Sequence, residues 1–359
     1  MIRRVAGSVD RRIRDAWDSS PGPASRLGSA LFTAASAARG LLYEVGTLQS
    51  RTAPIPVVSV GGLTIGGSGK TPVTADLARR LCKNGVPTTI LTHGYADEMD
   101  VHRRLCPDAL VLGGRDRHAL TLRAASEGAR IALLDSGFQH RRLRRDLDVV
   151  VLEERALDAP IRRLPAGPYR EGLSALRRAD VLVLTRRLRG PGKRSRAPAA
   201  GSREVSARVR SLPGCSRILT ACMEPIGLVA GNESARASRA ARPRVAVAGV
   251  MWPGDFFATV RELPEGESVR SELALRDHAA IDRRLERRLL DEAGTGGLVC
   301  TLKDVARLVG ALGDRLPVWY VAERVAWTER DGEGLGETCR SLLSGHPGLP
   351  GRERSREVR

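Results

Sequence analysis

The feature that most constrains this chain is the stretch 55–71, where a short apolar run rich in β-branched residues leads into a glycine-rich loop that ends in Lys70 and Thr71. This pattern predicts a buried strand ending near Val60, a loop whose backbone N–H groups wrap a phosphate chain, and a helix beginning at Thr71. The lysine supplies a mobile positive charge for phosphate oxygens, and the threonine hydroxyl suits Mg²⁺. An α/β fold built around a phosphate-binding loop is therefore expected.

The loop departs from the general pattern at one position, because Thr64 stands where a glycine is usual, five residues before Gly69. The glycines of the loop can adopt positive φ and carry no Cβ that would hold a phosphate away. A glycine-rich turn without a ligand is the alternative, but Gly-Lys-Thr between a strand and a helix favours phosphate binding. The residues expected to hold the nucleotide are Thr64, Gly66, Gly67, Ser68, Gly69, Lys70 and Thr71.

Composition restricts the partners of the chain. Its 359 residues carry 59 Lys plus Arg against 41 Asp plus Glu, a formal net charge of +18, which predicts attraction to a polyanion. Aromatic residues make up only 3% and do not interleave with the basic stretches, so nucleic acid is an unlikely partner by composition. An anionic membrane surface or a phosphorylated substrate fits better. The six cysteines form no Cys-x-x-Cys pair, which indicates free thiols in a reducing compartment.

An apolar stripe recurs at helical spacing near the N-terminus, but this segment is too short and too charged to cross a bilayer. Two interpretations stay open for such a helix: it lies on a membrane surface, or it packs on the protein's own core. The residues of the stripe are Leu27, Leu31, Ala34, Ala38, Leu41 and Val45.

Strand-like and helix-like segments alternate along the chain, which is typical of a parallel sheet flanked by helices. The predicted fold class is a P-loop NTPase-like α/β protein with a second, smaller α/β portion. Expected strands lie at 57–60, 88–91, 109–112, 131–134, 149–152, 181–184, 245–248, 298–301 and 318–321, and expected helices at 73–82, 121–127, 255–262 and 281–293.

Breaks in composition predict four regions. A membrane-associating helical region spans 1–50, and a P-loop core spans 51–215 with a polar, basic linker at 186–204. A second α/β domain follows at 216–340, and a flexible basic tail at 341–359.

Asp135 ends the apolar run 131–134. In an open parallel sheet, ligands collect at the carboxyl ends of the strands, so a carboxylate there is placed to support the Mg²⁺ that Thr71 also contacts. The alternative role for a lone Asp at this position is a turn former or helix cap.

The phosphate loop Val58-Ser-Val-Gly-Gly-Leu-Thr-Ile-Gly-Gly-Ser-Gly-Lys-Thr-Pro72 resembles that of the tetraacyldisaccharide 4′-kinase family, which also has threonine at the position of Thr64. Further motifs of that family follow in order over roughly 22–325, a series far more specific than any single member. They are Gly94-Tyr95, Asp97-Glu98, Gly114-Arg-Asp-Arg117, Asp135-Ser-Gly-Phe-Gln-His140, Leu164-Pro-Ala-Gly-Pro-Tyr-Arg-Glu171, Asp277-His278 and Thr301-Leu-Lys-Asp304.

The resemblance implies an ATP- and Mg²⁺-dependent kinase of lipid A biosynthesis that phosphorylates the 4′-hydroxyl of a tetraacyldisaccharide 1-phosphate. It also implies a bacterial cytoplasmic location, with peripheral binding to the inner membrane. Asp97 and His278 match the family's catalytic pair, in which a carboxylate accepts the hydroxyl proton and a histidine tunes or orients it. Arg170 can contact a phosphate or merely belong to a rigid loop. The sequence does not predict the oligomeric state or a preference for ATP over GTP.

Two departures from the family pattern bear on activity. Ser136 stands where the family usually has a second aspartate, and the segment between Tyr95 and Asp97 is shortened. A catalytically impaired relative is therefore one alternative. The other, from a different class, is a basic P-loop ATPase or nucleotide switch that binds nucleic acid or a protein partner.

Overall fold

The computed structural model describes residues 3–6, 17, 20–158, 160–188, 217–238 and 241–347. Within these residues, twelve strands form one continuous sheet. In chain order the strands are β1 (Arg3–Ala6), β2 (Val57–Gly61), β3 (Thr88–Thr92), β4 (Leu110–Gly113), β5 (Ile131–Asp135), β6 (Leu147–Glu153), β7 (Val181–Arg187), β8 (Arg217–Ala230), β9 (Pro243–Ala248), β10 (Ser271–Ala274), β11 (Gly297–Cys300) and β12 (Val318–Trp327).

Nine α-helices are present in the described residues, and each predicted helix is among them with bounds that differ by a few residues from the expectation. They are α1 (Pro23–Glu44), α2 (Lys70–Lys83), α3 (Ala96–Leu105), α4 (Arg117–Ser126), α5 (Glu233–Ala237), α6 (Pro253–Glu262), α7 (Arg283–Ala293), α8 (Leu302–Leu312) and α9 (Asp331–Ser341). Short 3₁₀ helices cover Glu154–Leu157, Leu173–Arg178, Pro264–Ser268 and Leu342–Ser344.

The first half of the sheet, β2 to β7, is entirely parallel, with the phosphate-loop strand β2 between β5 and β6. Helices connect β2, β3, β4 and β5 in turn, as the alternating pattern predicts, which confirms the α/β fold class. All residues of β2, β3 and β5 are buried. They are buried along their whole length because helices cover both faces of a parallel sheet.

The core of this half divides between the two faces of the sheet. Successive side chains of a strand point to opposite faces, so Ile131 and Leu133 pack on the side of α2, while Ala132 and Leu134 join a cluster on the other side. On α2, Leu77 is fully buried in the first of these clusters. This packing holds the phosphate-loop helix rigidly above β2 and β5.

The long strand β8 joins the two halves of the sheet. Its beginning pairs in parallel with β7 and its end pairs antiparallel with β12, which then continues through β11, β9, β10 and β1, all parallel to one another. Strands of the second half therefore run opposite to those of the first half. As a consequence, the carboxyl ends of β9, β10 and β11 point back toward the carboxyl ends of β2, β3 and β5.

Several sequence expectations differ from the structure. β7 continues through Arg187, two residues into the predicted linker, and most of that linker lies outside the described residues. The predicted flexible tail begins too early, because α9 and the 3₁₀ helix after it extend to Ser344, and only 348–359 lie outside the described part. Seven further strands and helices, β1, β8, β10, α3, α5, α8 and α9, were not expected. The division into separate domains stays a prediction, since one sheet runs through both halves.

Helix α1 carries the apolar stripe of the N-terminal segment on its exposed side. None of its residues is buried, and Leu27, Leu31 and Leu41 are 58–64% exposed. The interpretation as a helix packed on the protein's own core is therefore wrong. The helix is anchored through its polar side instead: Ser29 donates a hydrogen bond to the Arg163 carbonyl. No helix in the described part of the chain is long and apolar enough to span a membrane.

Candidate active site

The phosphate-binding loop connects β2 to α2 and has the predicted backbone geometry. Gly66, Gly67 and Gly69 have φ values of +64°, +73° and +83°, which only glycine adopts without strain. The amide of Ser68 donates to the Gly66 carbonyl at 2.9 Å, which closes a tight turn. The Lys70 ammonium donates to the Ser68 hydroxyl at 3.1 Å, so the lysine side chain folds back over the loop.

The segment 164–171 supports the phosphate-binding loop through backbone hydrogen bonds. The backbone of Thr64 forms a β-bridge with Tyr169, and the Arg170 amide donates to the Leu63 carbonyl at 2.7 Å. Gln139 adds a side-chain hydrogen bond to the Gly62 carbonyl at 3.0 Å. The rigid-loop role of this segment is therefore present in the structure, together with an arginine directed to the same region.

Thr71 and Asp135 lie together at the carboxyl edge of the sheet, as the sequence predicts. The Thr71 hydroxyl donates to Asp135 Oδ2 at 3.0 Å, and His102 Nε2 lies 2.8 Å from the same oxygen. Burial opposes ionisation of Asp135, but the contacts with His102, Lys70 and Thr71 outweigh it and lower its pKa below the usual range. An ionised carboxylate beside a hydroxyl is the oxygen donor set that Mg²⁺ prefers.

Ser136 takes an unusual backbone conformation with φ of +59°. Its hydroxyl donates to Asp135 Oδ1 at 3.2 Å, so both carboxylate oxygens of Asp135 have partners. The position that the related family usually fills with a second aspartate thus supplies a donor that helps to fix the first.

Lys70 experiences a crowded electrostatic environment. Its pKa is lowered to about 8: burial is the largest cause, Arg170 and Lys303 also lower it, and Asp135 and Glu98 partly offset this by raising it. Glu98 itself has a raised pKa because it is partly buried and lies near Asp135. These mutual effects show that residues from both halves of the sheet share one space around the phosphate loop.

Asp97 and His278 meet although they come from opposite halves. Asp97 belongs to the first turn of α3, and His278 follows β10, with φ of +54°. His278 Nδ1 lies 2.7 Å from Asp97 Oδ2, and the Tyr95 ring stacks on the imidazole at a centroid distance of 4.4 Å. The shortened segment before Asp97 therefore does not prevent this contact.

The motif 301–304 at the start of α8 splits into two roles. Lys303 reaches His278 Nε2 at 3.2 Å and Asp277 Oδ1 at 2.7 Å. Asp304 is fully buried and accepts hydrogen bonds from the Gly249 amide at 2.8 Å and the Thr301 hydroxyl at 2.6 Å. The lysine thus belongs to the cleft, while the aspartate fixes the turn after β9.

The turn 249–252, which follows β9, covers the phosphate loop. A Cβ added to Gly66 would lie 2.7 Å from Met251 Cβ, and one added to Gly67 would lie 2.8 Å from Trp252 Cδ1. An ion pair between Arg155 and Asp255 holds the neighbouring α6 against the first half, with Nη1 donating to Oδ1 at 2.9 Å. The second half of the sheet therefore closes the nucleotide side of the cleft.

Two arginines and two histidines border the remaining edge of the cleft: Arg117, Arg170, His93 and His140. Burial lowers the pKa of His140 to about 4 and that of Arg117 to about 10. The pKa values of His93 and Arg170 are also lowered, by burial and, at His93, by the two arginines. The positive charge of the two arginines, which lie beyond the phosphate loop, suits a second anionic group.

All residues expected to bind nucleotide, metal or acceptor thus border one cleft, and their roles stay predictions. Sequence reasoning missed the contributions of Tyr95, Glu98 and His102. Tyr95 and Glu98 stand inside motifs that were recognised, so their position was a usable signal. His102 had none, because an isolated histidine in a polar stretch is usually a surface residue.

Comparison with known proteins agrees with this geometry. The family model described as tetraacyldisaccharide-1-P 4′-kinase, LpxK, matches residues 26–109 and 101–339. A protein named tetraacyldisaccharide 4′-kinase from Anaeromyxobacter dehalogenans strain 2CP-C is 35% identical over 342 residues, covering 84% of this chain and 88% of that protein. One with the same name from Geobacter sulfurreducens is 32% identical over 321 residues, covering 82% and 86%.

Among solved structures, the crystal structure of an "apo" form LpxK from Aquifex aeolicus in complex with ATP aligns with a TM-score of 0.65 at 25% identity. The alignment covers 88% of this chain and 97% of that one. Family model, relatives and fold agree over most of the length, and the chain belongs to the tetraacyldisaccharide-1-P 4′-kinase family.

Proposed function

We propose that this protein is an ATP-dependent kinase that transfers the γ-phosphate to the 4′-hydroxyl of a tetraacyldisaccharide 1-phosphate in lipid A biosynthesis. The observation that carries this proposal is the contact between Asp97 and His278 across the cleft from Lys70. A P-loop ATPase does not need a carboxylate and histidine pair on the acceptor side. A sugar hydroxyl does, because it is a poor nucleophile until a base accepts its proton.

The chemistry follows from the groups that border the cleft. The loop amides and Lys70 hold the phosphate chain of ATP and offset its negative charge. Asp97 accepts the proton of the acceptor hydroxyl as its oxygen bonds to the γ-phosphorus. The bond from that phosphorus to the β,γ-bridging oxygen breaks, and ADP leaves.

Thr71 and Asp135 would hold the Mg²⁺ ion. The described residues contain no group of three or more His, Cys, Asp or Glu side chains suited to a metal. Mg²⁺ in kinases usually keeps few protein ligands and takes the rest from phosphates and water, so this donor set fits. When bound, the ion neutralises charge on the β- and γ-phosphate oxygens.

The two arginines at the edge of the cleft support a phosphorylated acceptor as the substrate. His93, Arg117, His140 and Arg170 lie beyond the phosphate loop, where the buried positive charge of the two arginines favours an anion. A disaccharide that already carries a 1-phosphate brings such an anion. A neutral sugar acceptor would offer these two arginines no anionic group to bind.

The test is a transfer assay with labelled ATP, Mg²⁺ and tetraacyldisaccharide 1-phosphate. We expect a doubly phosphorylated lipid from the wild-type protein and none from Lys70→Ala or Asp97→Ala. ATP hydrolysis stimulated by nucleic acid, without lipid product, would support the nucleotide-switch alternative. A folded wild-type protein that binds ATP but forms no product would identify an impaired relative.

We also propose that α1 places the enzyme on the cytoplasmic face of the inner membrane. Its leucines are exposed beside arginines, and each basic group near an anionic surface contributes about 1 kcal/mol. Sedimentation with vesicles containing phosphatidylglycerol should therefore carry the protein down at low salt. Replacing Leu31 and Leu41 by Glu should weaken this binding, whereas the same change at Leu122, which is 51% exposed on α4, should not. Binding that ignores both salt and the two α1 substitutions would contradict the proposal.

A further inference from the structure

Lys303 lies at the second position of α8, and its ammonium contacts two acceptors at once. Nζ is 3.2 Å from His278 Nε2 and 2.7 Å from Asp277 Oδ1. The lysine side chain is 25% exposed and the histidine 30%, so both are largely shielded from water. A contact between an ammonium and an imidazole nitrogen restricts where the imidazole proton can be.

The donor inventory allows one arrangement of protons. A lysine ammonium has three N–H donors and no acceptor, so His278 Nε2 must present its lone pair to Lys303. A neutral imidazole then carries its proton on Nδ1, the nitrogen that lies 2.7 Å from Asp97 Oδ2. Asp97 Oδ2 is buried and has no hydrogen-bond partner among the described residues, so a proton on Nδ1 places the nearest donor beside it.

The other groups around the imidazole are compatible with this arrangement. Tyr95 stacks on the ring face and contacts neither nitrogen edge-on. Asp277 Oδ1 is 3.9 Å from Nε2 and is engaged by the lysine. Glu98 influences the ring electrostatically from the first half of the sheet.

We propose that Lys303 is a positioning residue that fixes His278 in its Nδ1–H tautomer, so that the histidine holds Asp97 in the orientation that accepts the hydroxyl proton. This inference rests on the proposed kinase function for its catalytic consequence, but not for the tautomer. Without Lys303, the imidazole can place its proton on Nε2 and turn its Nδ1 lone pair toward the carboxylate. Asp97 Oδ2 then faces a lone pair instead of an N–H group, and nothing on the histidine favours one orientation of the carboxylate.

The first test reads the tautomer directly. In full-length protein labelled with ¹⁵N-histidine, the protonated and unprotonated ring nitrogens have well-separated ¹⁵N shifts, and His278→Asn assigns the relevant signals. We expect Nδ1–H in the wild type and a mixture of tautomers in Lys303→Met. A wild-type spectrum with the proton on Nε2, or a Lys303→Met spectrum identical to the wild type, would overturn the proposal.

The second test separates positioning from phosphate binding. Lys303→Met should lower kcat about ten- to a hundredfold while leaving the ATP affinity within about twofold, as expected for a residue that acts through another. Lys303→Arg, which also offers only donors, should recover part of the rate. Lys83→Met, at the exposed end of α2, is the matched control and should be neutral. A large loss of ATP affinity with unchanged kcat would show instead that Lys303 binds phosphate.

The two tests distinguish failure of the proposed kinase function from failure of the positioning role of Lys303. If the wild-type protein transfers no phosphate to lipid, the proposed function fails, and the tautomer is still measured by NMR. If transfer occurs and the tautomer or the kcat does not depend on Lys303, only the positioning role fails.

Discussion

Nucleotide affinity should depend on pH through Lys70. Burial lowers the pKa of its ammonium from 10.5 to about 8 in the ligand-free protein. A bound phosphate chain raises this pKa again, because an opposite charge favours the protonated form. Binding therefore takes up protons near and above pH 8, and the affinity is fully present well below pH 8 and falls as the pH rises through it.

The size of the effect on affinity follows from the pKa of Lys70 in the ligand-free protein. With a pKa of about 8, the protonated fraction of Lys70 is about nine tenths at pH 7 and about one tenth at pH 9. If only the ammonium binds phosphate, the apparent Kd for nucleotide rises about tenfold over this range, or about 1.4 kcal/mol.

Isothermal titration calorimetry with a non-hydrolysable ATP analogue and Mg²⁺ measures this dependence. Titrations at pH 8 in two buffers of different ionisation enthalpy should show uptake of about half a proton per bound nucleotide. Lys70→Arg keeps its charge throughout, so its affinity should be flat between pH 7 and pH 9. A flat wild-type profile, or an equal slope in the arginine variant, would refute the assignment to Lys70.

Three further substitutions test the architecture around the cleft. Gly67→Ala should weaken ATP binding at least tenfold in a nucleotide titration, because φ of +73° costs a non-glycine residue about 1–2 kcal/mol and the new Cβ would press on Trp252. Adding Trp252→Ala should restore only the part of the loss that comes from this clash. Asp76→Ala should lower the free energy of urea unfolding by about 1–3 kcal/mol, because it removes the buried acceptor of Trp327 Nε1, and an unchanged midpoint would contradict this. Tyr169→Phe should cost about 1–2 kcal/mol in the same assay by leaving the partly buried Ala156 carbonyl without its donor, whereas equal stability would mean that water replaces the hydroxyl.

Much of the first half of the fold could be predicted from sequence. The apolar runs of β2 and β5 are buried on both faces, which gives an unambiguous pattern, and the phosphate loop and Asp135 follow directly from them. Local residues determine these features, so no distant contact was needed to recognise them.

The missed elements have identifiable physical causes. β8 contains Pro225 and Gly227, which normally interrupt strands, and it tolerates them through a register shift in its pairing with β12. Helix α3 has a mostly polar sequence with only Val101 and His102 buried, so its apolar period was too weak to indicate a helix.

The cleft itself is a tertiary feature. The pairing of Asp97 with His278 was expected only from the family resemblance, because nothing in the local sequence says that two ends of one sheet face each other. Lys303 stood in a recognised motif, but sequence reasoning could not separate it from Asp304, which the structure buries completely. Contacts between distant segments decide such assignments.

The position of the transferred phosphate tests the central claim most directly. The lipid product from wild-type protein, ATP and tetraacyldisaccharide 1-phosphate is analysed by ³¹P–¹H correlation NMR. We predict two phosphomonoesters, the original one at position 1 and a new one on the 4′-oxygen, with the new signal absent when Lys70 or Asp97 is replaced by alanine. A phosphate on any other oxygen, or no second phosphate from folded protein, would contradict the account.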